Sequence, residues 1–215
     1  MKNIKKYIVL FALFIVPLLF YIFLSLGINN FAKLPVLTKN VVNVSAISKQ
    51  HRFENRISIV TFLGTNIDEI KGEVFNLTEK IYKPFYDFKD FQLIVIVPKS
   101  SEEKVLKLQK EIAGFTNMAK WNFIFADEVE IKVLHESFNT NDVLDENLHT
   151  PNAYIIDKDV NLRGRTEDKD SADGKLFGYN MQSVSVLNKK MKDDVKVVLA
   201  EYRLALKKNN ANREI

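Results

Sequence analysis

The sequence contains no cysteine. A thiolate is the nucleophile in thiol–disulfide exchange and the soft ligand that selects copper(I), so the chain can neither form a disulfide nor offer a thiolate site. Glycine and proline are also scarce, with seven and five among 215 residues, which argues against a low-complexity chain. We therefore expect a folded domain that is stabilised by packing alone.

A strong excess of charge is lacking as well. Three of the 31 basic residues, Lys2, Lys5 and Lys6, precede a hydrophobic segment, which leaves 28 basic against 27 acidic residues in the rest of the chain. No basic cluster interleaved with aromatic residues stands out, so we predict no nucleic-acid partner. The sequence has no Gly-x-Ser-x-Gly elbow, Gly-rich phosphate loop or dinucleotide fingerprint. We predict that the protein is not an enzyme.

One long apolar run lies near the N-terminus. Residues 7–27 are uncharged and mostly apolar, and as a helix they would span the ~30 Å hydrocarbon layer of a membrane. Lysines ahead of the run and no charge directly behind it predict that residues 1–6 are cytoplasmic and that the remainder is periplasmic or its equivalent. The alternative is a signal peptide cleaved after the small residues Ser25 and Gly27. The run exceeds the ~7 to 15 residues of a signal-peptide core, so we favour a single-pass anchor in the cell membrane.

The exported part divides into a spacer and one domain. Residues 28–52 contain Pro35 and little periodicity, which predicts a spacer, and residues 53–215 have the size of one ordinary domain. Short β-branched apolar runs alternate with helical periodicity in this domain, an order that predicts an α/β fold with helices on both faces of a largely parallel sheet. The predicted strands are 57–63, 91–97 and 121–126, followed by a hairpin around 157–160 and a final helix over about 186–207.

The first helix of the domain has a recognisable start signal. Asn66 is followed three residues later by Glu69, which resembles a capping box, and apolar residues then recur at helical spacing from Ile67 to Ile81. This pattern predicts a helix that begins directly after Asn66.

Three stretches of the domain resemble one known family. The segment from Phe62 to Gly72 is similar to a strand-to-helix turn of pattern Phe-x-x-Thr-x-Cys-Pro-x-x-Cys-Pro, and residues 121–138 are similar to that family's Trp, apolar strand and short helix. The segment from His149 to Gly164 resembles a metal-binding His that continues into a Leu-Ile-Asp-x-x-Gly-x-x-Arg-Gly hairpin, with Val160 in place of the first hairpin Gly. These are features of the Sco/SenC copper chaperones of cytochrome oxidase assembly.

The resemblance implies a thioredoxin-like fold, with a central mixed sheet flanked by helices, preceded here by one transmembrane helix. In that fold Pro151 stands where a cis proline is expected. The groove that the resemblance implies as a binding site contains Thr65, Asp68, His149 and Pro151.

The sequence departs from the family at the metal site. Ile67 and Lys71 occupy the two cysteine positions, and Asp68 and Gly72 replace the prolines that follow them. In the family, two thiolates and the histidine hold copper. An isoleucine cannot bind a metal and a lysine ammonium repels one, so this resembles a Sco scaffold whose ancestral site has been lost. We expect Lys71 to pair with a carboxylate, with Asp68 in reach on the same helix.

Two functions are consistent with this pattern. The first, which we favour, is a redox-inactive binding or assembly factor without a cofactor that contacts a protein partner in the membrane or periplasm, linked to cytochrome c oxidase biogenesis. The second is a carrier of copper or another metal that uses His149 with non-thiolate ligands such as Asp68, Glu69 or a Met. His51 and His135 are predicted to have no functional role. An open sheet edge is a further place where a partner segment could add as a strand.

Overall fold

The computed structural model describes residues 2–25 and 33–211, with side chains for residues 4–23 and 33–203. The chain divides into two compact units, with the boundary between residues 32 and 33. Residues 26–32 lie outside the described residues. They include residues 26 and 27, which end the predicted membrane span, and the first part of the predicted spacer. Gly27, one of the two small residues of the alternative cleavage site, therefore lies outside the described residues.

The first unit is a helix, α1 (Lys2–Ser25), with Pro17 inside it. The stretch Ile4–Phe23 is long and apolar enough to cross a membrane, and its large apolar side chains are exposed. Burying them in lipid would remove that apolar surface from water. The predicted N-terminal apolar helix is confirmed.

The second unit is built on a seven-stranded mixed sheet with the order β1-β6-β5-β2-β3-β4, and β7 pairs with β5. The strands β2, β3 and β4 are parallel, whereas β5 runs antiparallel to β2. The predicted α/β sheet flanked by helices is confirmed. The strands are β1 (Val36–Thr38), β2 (Ile57–Leu63), β3 (Phe91–Pro98), β4 (Trp121–Ala126), β5 (His149–Ile156), β6 (Leu162–Arg163) and β7 (Tyr179–Asn180).

Helices cover the sheet on both faces. Two of them contain π-helical turns, Thr78–Tyr82 and Leu187–Met191, which join short α-helical pieces into longer rods. The helices are α2 (Lys71–Leu77), α3 (Lys83–Phe85), α4 (Glu102–Ala113), α5 (Glu128–Glu136), α6 (Val184–Val186) and α7 (Lys192–Ala211).

The first helix of the domain begins later than its sequence signal. The backbone N–H of Glu69 donates to Asn66 O (3.1 Å), so residues 66–69 form a turn, and α2 starts at Lys71 without a side-chain cap. The turn allows Ile67 to be fully buried in the core. The predicted capping box at Asn66 is wrong, because burial of Ile67 determines the path of the chain here.

The core consists of two apolar layers, one on each face of the sheet. All residues of β2 and β3 are buried, as expected for central strands. Side chains alternate along β2, so Ile59 and Leu63 pack under α2, α4 and α7, while Val60 and Phe62 pack on the face that α5 covers. Each such side chain stabilises the fold by about 1.5 to 3 kcal/mol.

Part of the predicted spacer packs on this domain. Strand β1 pairs with β6, and Val41 and Val44 are buried in the same layer as Phe53 and Phe62. The described part of residues 28–52 is therefore integral to the folded unit, because its apolar side chains complete the second core layer.

A buried arginine fixes the start of the described part of this unit. The guanidinium of Arg163 donates to Leu34 O (Nε, 2.8 Å), to Asp157 Oδ2 (Nη1, 3.0 Å) and to Glu201 Oε2 (Nη2, 2.7 Å). The N–H of Leu34 in turn donates to Glu201 Oε1 (2.7 Å). Strand β6, helix α7 and the segment before β1 are thus held by one set of charged hydrogen bonds, which are stronger than neutral ones.

The β5–β6 hairpin keeps its turn without the glycine of the resembled pattern. Val160 adopts a φ of 61°, a left-handed conformation that is strained for a β-branched residue. The Asp157 carboxylate holds the turn, since its Oδ1 accepts from the N–H groups of Asp159 (3.0 Å) and Asn161 (2.9 Å).

Candidate functional site

The candidate groove is formed where β2 ends. Gly64 has a φ of 68°, and a Cβ at this position would lie 2.4 Å from Asn147 O and 2.8 Å from the His149 Cβ. Only glycine fits this close approach. Thr65 continues the contact, since its N–H donates to Asn147 O (3.0 Å) and its hydroxyl to Asn147 Oδ1 (3.1 Å). The structure therefore brings Thr65 close to the start of β5, where His149 lies.

The positions 67 and 71 differ in their surroundings. Ile67 is fully buried in the apolar layer beneath α2. The Lys71 Nζ lies 2.9 Å from Glu111 Oε1 on α4 and 3.1 Å from Asp68 Oδ1. Hydrogen bonds to Glu111 and Asp68 raise the pKa of Lys71 above its ordinary value, so it carries a firmly positive charge. The predicted pairing of Lys71 with Asp68 is confirmed, and Glu111 is an additional partner.

His149 bonds to an acidic side chain, Glu73, that was not predicted from the sequence. Its Nε2 lies 3.0 Å from Glu73 Oε2, and the other oxygen of Glu73 accepts from Gln182 Nε2 (2.8 Å). The His149 and Glu73 side chains are only 13% and 8% exposed. Glu73 lies three residues after Ile70, on the apolar side of the helical pattern. An acidic residue at such a position was the sequence signal that could have identified Glu73 as a site residue.

Pro151 lies in β5 and does not have the expected cis bond. The described residues contain no cis peptide bond, and the carbonyl of Pro151 accepts from the N–H of Met181 (2.8 Å). The prediction of a cis proline is wrong here: β5 continues through a trans Pro151 and pairs with β2 and β7, with an irregularity in the β2 pairing between His149 and Ala153. Asp68 pairs with Lys71, and among the described residues it makes no hydrogen bond or ion pair with His149.

A second polar cluster holds the start of β5 from the other face. The Asp142 carboxylate accepts from Thr150 Oγ1 (3.1 Å), from Asn152 Nδ2 (3.0 Å) and from the Tyr154 hydroxyl. Burial raises the pKa of Asp142, but the surrounding polar groups outweigh burial and hold it well below its ordinary value. His135, which is buried, bonds the same Tyr154 hydroxyl through its Nε2 (3.2 Å).

No model of a known protein family and no curated protein matches the sequence. Among solved structures, the chain is similar to BsSco, a member of the Sco family of cytochrome c oxidase assembly proteins, with a TM-score of 0.51 at 15% identity. The match covers 78% of this chain and 98% of BsSco. The domain has a thioredoxin-like fold.

Two further structures are similar to this thioredoxin-like domain at lower scores. A SCO1/SenC family lipoprotein from Bacillus anthracis has a TM-score of 0.46 at 14% identity over 80% of this chain and 99% of that one. Copper-bound ScoI from Arabidopsis thaliana has a TM-score of 0.43 at 16% identity over 67% of this chain and 86% of that one. The similarity to BsSco confirms, at the level of fold, the resemblance to Sco/SenC proteins seen in the sequence.

The thioredoxin-like domain does not fit copper at the family position. Soft thiolates select copper(I), and here the two thiolate positions hold a buried isoleucine, Ile67, and a paired cation, Lys71. His149 directs Nε2 at Glu73 rather than at a further ligand. Within residues 4–23 and 33–203, no group of three or more His, Asp or Glu side chains is arranged to hold a metal ion.

Proposed function

We propose that this chain is a membrane-anchored, redox-inactive thioredoxin-like protein that binds a protein partner and serves as an assembly factor linked to cytochrome c oxidase biogenesis. The observation that carries the proposal is the replacement of both thiolate positions, by Ile67 within the core and by Lys71 within an ion-pair cluster. A chain without cysteine has no dithiol to oxidise, so binding remains as the use of the groove.

The groove chemistry favours a partner with a hydrogen-bonding segment. Lys71 stays partly exposed at 31% of its side chain, next to the exposed Asp68. Thr65 holds the turn that precedes Lys71. Pro151 lies near the start of β5, and the strand that pairs with β5 there, β7, has only two residues, Tyr179–Asn180. A partner segment that enters here would meet the Lys71 ion-pair cluster, a hydroxyl and backbone polar groups, a combination suited to peptide recognition.

The setting of the proposal comes from the fold comparison and the anchor. BsSco belongs to a family of cytochrome c oxidase assembly proteins, and this chain carries the same fold behind an apolar helix, Ile4–Phe23. We place the N-terminus in the cytoplasm and the domain in the periplasm or its equivalent, because Lys2, Lys5 and Lys6 precede the helix.

Copper binding separates this function from the metal-carrier alternative. The full chain, purified in a non-ionic detergent, is titrated with Cu(I) and Cu(II) beside the variant His149→Ala. We expect neither ion to bind the wild-type chain at stoichiometry, because thiolate ligands are absent. Stoichiometric binding that His149→Ala abolishes would show a rebuilt metal carrier and refute the proposal.

Partner capture tests the binding role directly. A photo-crosslinking residue is placed at Asp68, beside the groove, and in a control chain at Lys132 on α5, which covers the opposite face. We expect the Asp68 chain to crosslink a cytochrome c oxidase subunit in intact membranes and the Lys132 chain not to. Equal crosslinking from both positions, or capture of no oxidase subunit, contradicts the proposal.

A further inference from the structure

A large polar pocket lies at the opposite end of the sheet from the groove. It has a volume of about 820 Å³, within the ~300 to 1,000 Å³ of small-molecule sites. The residues around it precede β2 or begin β3 and β4, whereas the groove follows the carboxyl end of β2. The seven residues of β2 separate the two places by roughly 20 Å.

The charge around this pocket is strongly one-sided. Four permanent cations line it, Lys49, Arg52, Arg56 and Lys120, and Glu54 is the one acid among its lining residues. None of the four makes an ion pair with a described acidic residue, unlike Lys71, which pairs with Glu111 and Asp68. Like charges left without counter-charges raise the local potential and attract anions.

Two of these cations converge on one backbone atom. Arg56 Nη1 lies 3.4 Å and Lys120 Nζ 3.2 Å from the carbonyl oxygen of Lys89. Burial and the repulsion from Arg56 lower the pKa of Lys120, and the attraction of Asp90 and Asp87 offsets this only in part. The structure thus holds two like charges together at a neutral acceptor, an arrangement that a bound anion would stabilise.

The segment that carries three of the four cations, Lys49, Arg52 and Arg56, is a fixed part of the fold. Gln92, 8% exposed, donates its Nε2 to Arg52 O (2.8 Å) and to Ser58 Oγ (2.8 Å). The side chain of Phe53 is fully buried, and the N–H of Arg56 donates to its carbonyl (3.0 Å). A buried amide and a buried aromatic therefore preorganise the loop, which lowers the entropic cost of binding a ligand.

We propose that this pocket, lined by Lys49, Arg52, Arg56 and Lys120, binds a small phosphate-bearing ligand. The guanidinium groups supply the planar donors that phosphate oxygens accept, and the lysines supply point charges. A soluble phosphate ester and the phosphate of a lipid headgroup share this chemistry. The site is independent of the groove and of the proposed partner.

Trp121 offers an indirect spectroscopic signal for the test, since it neighbours Lys120 in sequence but packs in the core and does not line the pocket. It is the single tryptophan of the chain, it follows Lys120 directly, and it is 8% exposed. The full chain in non-ionic detergent is titrated with pyrophosphate, by calorimetry and by Trp121 fluorescence. In a second arm the micelles contain phosphatidylglycerol or, as a control lipid, zwitterionic phosphatidylcholine.

Substitutions locate the binding within the pocket. Arg56→Gln and Lys120→Gln should each weaken binding about tenfold, the change that corresponds to the loss of one charge-assisted hydrogen bond. Glu54→Gln removes the repelling acid and should strengthen binding, while Lys110→Gln, a lysine on α4 outside the pocket, should leave it unchanged. Thermal unfolding of each variant verifies that the domain is folded.

The outcomes separate the two sources of phosphate. Pyrophosphate binding that the pocket variants weaken identifies a soluble ligand, and a response to phosphatidylglycerol alone that the same variants remove identifies a lipid headgroup. The proposal is overturned if neither probe binds, or if Arg56→Gln and Lys120→Gln bind as tightly as Lys110→Gln.

Discussion

Single buried charges decide much of the stability of this domain. The Arg163 side chain is 6% exposed and satisfies two carboxylates and one carbonyl at once. Removing one partner of such a cluster leaves the others buried without compensation, whereas an exposed pair such as Lys196 with Asp193 contributes little.

We expect Arg163→Ala to lower the free energy of unfolding by about 3 to 5 kcal/mol, because Asp157 and Glu201 lose their cation. Lys196→Ala should cost less than about 1 kcal/mol. Denaturant unfolding of the full chain in detergent measures both. Arg163→Lys keeps the charge but loses the guanidinium fork, so its loss should fall between the two, and equal effects of Arg163→Ala and Lys196→Ala would contradict the argument.

Asp142 makes the stability of the domain depend on pH. Its pKa in the fold lies below the ordinary value of 3.8, so the folded chain favours the carboxylate. The resulting stability is fully present above the ordinary pKa and is lost as the pH falls below it. Asp142→Asn should therefore be less stable than the wild type at pH 7 and lose less stability between pH 5 and pH 3. Tyr154→Phe, which removes one donor to the carboxylate, should lie between them in the same measurement, and parallel pH profiles for all three chains would exclude this role of Asp142.

At the scale of elements, the β2–α2 turn shows how glycine position matters. Gly64→Ala should destabilise the domain by about 2 to 4 kcal/mol, since a Cβ there meets Asn147 O in a left-handed conformation. A Cβ added at Gly72, in α2, would meet no atom within 4 Å, so Gly72→Ala should stabilise by about 0.5 to 1 kcal/mol. Thermal or denaturant unfolding distinguishes them, and the same sign for both changes would refute the reasoning.

The elements that the sequence predicted well are those whose cause is local. The β-branched or aromatic runs of β2 and β4 begin and end at the predicted residues, because buried strands leave an unmistakable apolar run. The start of α2, the edge strand β1 and the trans bond at Pro151 were not predicted. Each depends on contacts with distant residues, as in the pairing of Val36 with Arg163, which no local pattern encodes.

The candidate site was predicted in part for the same reason. Resemblance placed Thr65, Ile67, Lys71 and His149 at one end of the sheet, and the predicted pairing of Lys71 with Asp68 forms even though Asp68 lies in the turn before α2. Glu73 as the partner of His149, and Glu111 as the second partner of Lys71, require the packing of α2 against β5 and α4. The cations of the phosphate pocket were not predicted, because Lys120 lies far along the chain from the segment 49–56.

For the whole molecule, the N-terminal helix predicts attachment to the membrane. We expect the full chain to stay in the membrane fraction after alkaline carbonate extraction and to keep its N-terminal residues by sequencing. The double variant Leu13→Arg and Val16→Arg should be released, because each charge costs about 2.5 to 3.5 kcal/mol at the bilayer centre. A wild-type chain that begins after residue 25 would instead support signal-peptide cleavage.

The hydrogen bonds that hold Leu34 to Arg163 and Glu201 have a mechanical consequence. A pull transmitted along the chain from the N-terminal side reaches Leu34, whose N–H and carbonyl are bound by Glu201 and Arg163, residues 167 and 129 positions away. The force is therefore distributed over both α7 and β6. Separating β1 from the sheet would require breaking the charged hydrogen bonds of Leu34 to both elements at the same time.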